Sequence, residues 1–239
     1  MTLNQVVSEE RPWGIVSFDS VYKGLPSQTF NLLRTGNKEI SFAAIGHFIK
    51  TGLDRGERVA IVSFDHPNFL LDKYKEYGFS FAEALASEQL MYFYYKSRFS
   101  YSLSFATSYK KIYEELGNLA KRDLDRIVFL YADVLFNLET HLLAKSSVER
   151  ILASFGKRNS LILGCYQAVN FRAHNVLDEV GHESLISYLE LRKGSSGDSS
   201  QYDLILHRFP RLDEKAVLSL QLSKSHGFNT PTMELVNHG

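Results

Sequence analysis

Phe30-Asn31-Leu32-Leu33-Arg34-Thr35-Gly36-Asn37-Lys38-Glu39-Ile40-Ser41-Phe42 is the stretch that decides the fold. Phe30 to Leu33 reads as a short apolar strand, and the residues from Glu39 onward read as a helix. A strand running into a helix in this way, within the stretch from Gly14 to Pro67, is the layout of a nucleotide-binding βαβ unit. A phosphate-cradling loop at this place would read G-x-x-x-x-G-K-[ST]. Each residue of that pattern has a physical role. The second glycine lets backbone N–H groups close on the phosphates, the lysine brings charge, and the hydroxyl binds Mg²⁺. This chain keeps the layout and lacks those residues.

Working outward, Phe42, Ile45, Phe48, Ile49 and Leu53 recur at helical spacing through 39–54. Arg55-Gly56-Glu57 stops that helix, with Gly56 suited to a left-handed cap. Apolar runs at 29–33, 58–64, 90–94, 126–131 and 160–166 read as strands buried on both faces. Helices are expected at 39–54, 66–77, 80–87, 102–119 and 138–155. This alternation implies an α/β fold, a mostly parallel, doubly wound sheet with right-handed crossovers. The last quarter differs: 185–192, 202–208 and 216–224 read as strands, the first two separated by the loop Lys193 to Ser200, which suggests an antiparallel extension. No repeat or linker interrupts the chain. One domain is expected over 12–228, between tails at 1–11 and 229–239.

Composition narrows the function classes. Of 239 residues, 44% are hydrophobic and 23% charged, which is ordinary for a globular protein. Lys+Arg and Asp+Glu both number 27, so no whole-chain basic excess points to nucleic acid or an anionic membrane. No apolar run approaches the roughly 18 residues of a transmembrane helix. The N-terminus lacks the basic region of a signal peptide, so the expected location is cytoplasmic. The single cysteine, Cys165, excludes an intrachain disulfide and lies in an apolar run, as a buried structural thiol would. Aromatics cluster at 92–95 and through Phe99, Tyr101, Phe105 and Tyr109. They read as core and subunit interface rather than a base-stacking platform, because few cations interleave with them. The histidines form no i, i+4 pair, no HExxH and no Cys/His set, so no metal site is expected. There is no G-x-S-x-G motif.

Four blocks, in order, resemble the KaiC-like branch of the RecA superfamily of P-loop ATPases. They are Trp13-Gly14-Ile15 with Phe18-Asp19 and Gly24-Leu25-Pro26; Gly52 to Glu57 ahead of the strand Val59 to Ser63; Phe64-Asp65-His66-Pro67; and Leu222-Ser223-Lys224-Ser225-His226-Gly227. The resemblance spans about Pro12 to Gly227. It implies a RecA-like fold with a C-terminal antiparallel hairpin, ATP and Mg²⁺ as the cofactors of an intact site, and assembly into rings or other oligomers.

The departures fall where the chemistry of that family would lie. In the ungapped register Ile40, Ser41 and Phe42 stand for the glycine, lysine and Ser/Thr of the phosphate loop. Lys38, the nearby cation, comes three positions early, and a shift that brought it to phosphate would set Glu39 at the hydroxyl's place. By the resemblance, Asp65 and His66 stand at the catalytic acid pair. Histidine can serve as a base near neutral pH, yet an Asp in this position more often caps the helix that follows, and Pro67 suits such a helix start. Tyr131 occupies the Mg²⁺-holding acid's position, with Asp133 two residues on as a substitute. Lys224 retains the cation that the family extends toward a neighbour's nucleotide. The vestigial nucleotide-binding set is therefore Gly36, Lys38, Ser41, Asp133 and Lys224, with Asp65 and His66 as the catalytic candidates. Single electrostatic donors are commonly worth about 3–4 kcal/mol in catalysis, so several losses together predict no efficient hydrolysis. The expected role is a pseudo-ATPase acting as a regulatory or scaffolding module, as a homo-oligomer or a hetero-oligomer with an active relative. The alternatives are a slow or gated ATPase with an atypical loop, and a small-ligand sensor that reuses the cleft.

Overall fold

The computed structural model describes residues 9–36, 38–94, 114–135, 141–155, 160–167, 186–194, 198–210, 212, 214–223 and 225–229. Short strands β1 (Glu10–Arg11) and β2 (Leu25–Pro26) pair antiparallel around α1 (Val16–Tyr22). Then come β3 (Phe30–Thr35), α2 (Lys38–Asp54), β4 (Val59–Ser63), α3 (Pro67–Glu76), α4 (Ala82–Ala86) and β5 (Leu90–Tyr94). Helical residues 114–119 form α5. They precede β6 (Arg126–Leu130), α6 (Ala132–Leu135), α7 (His141–Phe155) and β7 (Leu161–Gln167). The chain closes with β8 (Ile186–Lys193), β9 (Gln201–Arg208), β10 (Ala216–Ser223) and β11 (Gly227–Asn229). Glu10 and Arg11 thus pair as a strand within the stretch expected to be a tail, and β11 runs across the expected boundary at 228. Positions 102–113 of the expected helix and the aromatics from Tyr95 to Tyr109 lie outside the described residues.

Among the described residues nine strands form one sheet, in the order β11-β10-β9-β8-β3-β7-β6-β4-β5. β8, β3, β7, β6, β4 and β5 are parallel, and β9 to β11 add antiparallel pairs. This is the mostly parallel sheet with a C-terminal antiparallel extension that the strand–helix alternation implied. Val59 to Ser63 and Arg126 to Leu130 are buried throughout, as expected of strands covered on both faces.

One face of the sheet packs on α2 and α3 through Leu33, Ile61, Val128 and Leu163. The other packs on α5 and α7 through Phe30, Leu32, Ile127, Phe129 and Ile162. α2 is sunk deeply, with Ile40, Phe42, Ala43, Ala44, Ile45, Phe48 and Ile49 all in the core. It stops as expected. Gly56 has φ +75, its N–H bonds to Leu53 O at 3.0 Å, and the Glu57 N–H bonds to Gly52 O at 2.9 Å. That pair of bonds is a Schellman cap, which glycine enters without the Cβ penalty.

The amino ends of the strands carry a buried ion cluster. The Arg126 guanidinium is wholly buried against the Glu57 carboxylate, and it also donates to Pro12 O at 2.8 Å and Phe48 O at 3.1 Å. Arg11 reaches Glu57 at 2.7 Å. Gly52 makes room for this: a Cβ there would come within 2.7 Å of Arg126 Cδ. The Gly52-to-Glu57 block is therefore a helix stop and an arginine socket, at the edge of the sheet opposite the candidate site.

Candidate functional site

Parallel strands bring their carboxyl ends to one edge, where open α/β sheets place ligands. At that edge β3 ends in Thr35 and Gly36, β4 in Ser63 with Asp65 shortly after, β6 leads into Tyr131 and Asp133, and β7 carries Cys165.

The phosphate-loop position is filled from inside. Gly36 is exposed, but its N–H is committed to Leu191 O at 3.1 Å. Lys38 is the first residue of α2, and its side chain lies outside the described residues. Ile40 and Phe42 are 3% and 2% exposed. The Phe42 ring sits edge-on to Tyr74 at 5.7 Å and to Phe69 at 6.4 Å, both from α3. In the ungapped register of the resemblance, this ring stands at the position of the Mg²⁺-binding hydroxyl. Ser41, at the lysine's position, is buried near the Cys165 thiol, and the Thr35 hydroxyl donates to Tyr166 O at 3.3 Å. Burial pushes that thiol up to about 12, so Cys165 is the inert structural thiol expected from its apolar run.

Asp65 and His66 turn to different partners. The Asp65 carboxylate accepts the Tyr131 hydroxyl, its carbonyl accepts the Tyr92 hydroxyl at 2.8 Å, and its N–H donates to Ser63 Oγ at 3.0 Å. Tyr131 makes its bond from a left-handed backbone, φ +61, a conformation that costs a bulky residue about 1–2 kcal/mol. Burial, and then the Asp65 carboxylate, push the Tyr131 phenol well above its ordinary range. The helix cap is His66 rather than Asp65: Nδ1 accepts the Asn68 N–H at 3.3 Å, just before Pro67 at the first turn of α3. Asp65 stands one residue too far back and is turned to Tyr131. For His66 to take a proton at Nδ1 it would have to abandon its cap. Its ring lies edge-on to Tyr94 at 5.6 Å.

Asp133 starts its short helix half-buried, and its charge acts on Cys165. Lys224 lies outside the described residues. The fold thus gathers Ser41, Asp65 and Asp133 at one edge. It adds four residues that sequence reasoning did not assign to a site: Thr35, Ser63, Tyr74 and Tyr92. Alternation along β4 and β5 gives no hint of Ser63 or Tyr92, and Tyr74 on α3 reads as core. The fully buried Tyr74 hydroxyl has no hydrogen-bond partner among the described residues. Tyr92, Cys165, Tyr131 and Asp65 are all close enough to act on it electrostatically. These are phenols, hydroxyls, a thiol and carboxylates, and a phosphate placed among them would meet negative charge.

No protein-family model matches the chain, and no curated protein matches it. Solved structures do. A KaiC-like protein from the hyperthermophilic archaeon Pyrococcus horikoshii OT3 superposes with a TM-score of 0.68 at 12% identity, over 92% of this chain and 98% of that one. At that identity the likeness concerns the fold, and the fold is KaiC-like and RecA-type.

Proposed function

We propose that this chain is a pseudo-ATPase: a RecA/KaiC-like fold whose nucleotide site is closed and which works as a regulatory or scaffolding module through oligomer or partner contacts. The observation that carries this is the Phe42 ring wedged between Phe69 and Tyr74 where a metal-binding hydroxyl would stand. Two further facts support it. Ser41, at the lysine's place, faces a thiol, and the Asp65 carboxylate is held by Tyr131. The likeness to a KaiC-like protein supports the ancestry from which such a module would derive. The module is one domain, the 12–228 core with β1 and β11 at its ends, and sits in the cytoplasm. It partners itself or an active relative rather than a membrane, and its charge balance does not point to nucleic acid.

The test is a thermal-shift titration with ATP·Mg²⁺ up to several millimolar, beside sedimentation of the free protein. A nucleotide present at 100-fold over its dissociation constant adds about 2.7 kcal/mol to a native state that binds it. A flat response with a stable oligomer, or with capture of an active relative, is the expected result. A saturable rise that is lost in Lys38→Ala would overturn it in favour of a gated ATPase with an atypical loop.

A further inference from the structure

We propose that the outer edge of β5 takes an extended segment of a partner protein as an added strand, and that a carboxylate side chain on that segment meets Arg122. This names the surface behind the partner contacts proposed above and rests on that reading. The first observation is the register of the edge. β5 ends the sheet and pairs with β4 alone among the described residues. The Val59 N–H bonds to Gln89 O at 2.9 Å, so in this parallel ladder Met91 and Phe93 turn their backbone groups to β4. Leu90, Tyr92 and Tyr94 turn theirs outward. Natural edges are commonly blunted by lysine, proline or a bulge. β5 reads Leu-Met-Tyr-Phe-Tyr, with no charge and no proline, and its register to β4 runs without a break. The opposite edge is guarded: β11 is three residues long, and its central N–H, from Phe228, is taken by His47 Nε2 at 2.9 Å. A row of outward N–H and C=O groups such as that of β5 is a template for a further strand.

The second observation is a cation placed beside that edge. Arg122, just beyond α5, is exposed. It donates to Met91 Sδ at 3.3 Å, and its guanidinium stands 5.8 Å from the centre of the Phe93 ring. No carboxylate pairs with it among the described residues. Met91 and Phe93 point to the sheet face that packs on α5 and α7. A strand added to β5 alternates its side chains between the two faces, as β5 does. One set therefore comes down beside Met91 and Phe93, within reach of Arg122, where a carboxylate gains a charge-assisted hydrogen bond. The other set comes beside Tyr92 and Tyr94, and Tyr94 is 38% exposed with its ring edge-on to His66 at 5.6 Å. That side suits an apolar residue. The same charge decides against a second copy of β5 as the occupant. In an antiparallel self-pairing centred on Tyr92, Met91 of one copy lies opposite Phe93 of the other, and the two Arg122 cations crowd together over them.

The experiment uses the full chain and a fluorescein-labelled peptide, Thr-Val-Glu-Val-Glu-Val-Thr, followed by anisotropy as protein is added up to millimolar. Saturable binding is expected, weakened about tenfold or more when lysine replaces both glutamates. It should vanish when the peptide is N-methylated throughout, since the backbone can then no longer pair. Hydrogen exchange of the peptide-saturated protein should slow at the Tyr92 and Tyr94 amides. Arg122→Glu, an exposed change that leaves the core intact, should reverse the preference in favour of the lysine peptide. Tyr94→Pro removes one outward N–H, which an edge strand tolerates, and should weaken both peptides. Absence of binding at millimolar protein would overturn the proposal, as would binding that the N-methylated peptide keeps. A charge preference that Arg122→Glu leaves unchanged would overturn it too, and would leave Arg122 as a guard of the edge. A melting-temperature rise with ATP would count against the closed site and leave the peptide result readable on its own.

Discussion

Tyr131 donates its phenol proton to the Asp65 carboxylate from a left-handed backbone position at the end of β6. The contact joins the two positions at which the resemblance would place a metal-holding acid and a catalytic acid. It turns both into structure. Hydrogen bonds to charged groups contribute about 1.5–3 kcal/mol, so Tyr131→Phe should lower unfolding stability by that order in urea. Asp65→Asn should cost less than Tyr131→Phe, because the amide oxygen still accepts. Equal stability of Tyr131→Phe and wild type would show that the bond is not formed in solution.

Phe42→Ala should be costly and should not restore chemistry. Truncating a buried phenylalanine loses about 3–5 kcal/mol, and Phe42 is 2% exposed between two rings. Ser41→Lys should also destabilise, because it sets an ammonium in a buried position beside Cys165. Phosphate release from ATP should stay at background in both, as measured by a coupled assay.

His47 makes stability fall with acid. Its Nε2 accepts the Phe228 N–H at 2.9 Å, fastening β11 to α2, and burial lowers its pKa from 6.5 to about 4. The unfolded chain therefore binds a proton at higher pH than the folded one. The contribution is fully present above about pH 6.5 and is lost as pH falls through about 4. By linkage it amounts to about 3 kcal/mol. Urea unfolding at pH 7, 6, 5 and 4 should show this slope, and His47→Gln should flatten it relative to wild type.

Glu57→Ala should be among the most disruptive single changes. It leaves Arg126 buried without its counter-charge, and breaking one side of a buried pair costs about 3–5 kcal/mol. Gly52→Ala should also destabilise, by about 1–3 kcal/mol, since its Cβ meets the Arg126 stem. Denaturant midpoints of the two variants check both.

Cys165 should resist a thiol reagent at neutral pH until the protein unfolds. Its thiol is buried and pushed up to about 12, so little thiolate exists in the native state. Modification by an aromatic disulfide should follow the unfolding curve. Fast labelling of native protein would place the thiol at the surface.

Much of the fold was legible because periodicity and punctuation are local signals. The residues Leu90 to Tyr94 form the strand their β-rich run implied, and α2 stops at Asp54 because the positive φ of Gly56 lets the chain close its last carbonyls. The sequence named candidate positions for the site, and the contacts those residues make were not legible in it. Asp65 stands at a strand end, as the pattern said. Its occupation by Tyr131 depends on β6 lying beside β4, a pairing of residues 66 positions apart. The cap moved from Asp65 to His66 for a local reason that the motif hid: the residue directly before Pro67 is the one whose side chain reaches the second helical N–H.

By itself, the sequence determined the alternation of strands and helices, the position of the phosphate-loop turn and the absence of its glycine, lysine and hydroxyl. These depend on residue identity and short spacing, which the chain carries along its length. Only the tertiary structure decided what surrounds that turn. Phe42 meets Phe69 and Tyr74 because α3 folds back beside α2, and Asp65 meets Tyr131 because parallel strands set their carboxyl ends side by side. Packing and burial are properties of neighbours brought together by the fold, so these contacts exist only in three dimensions.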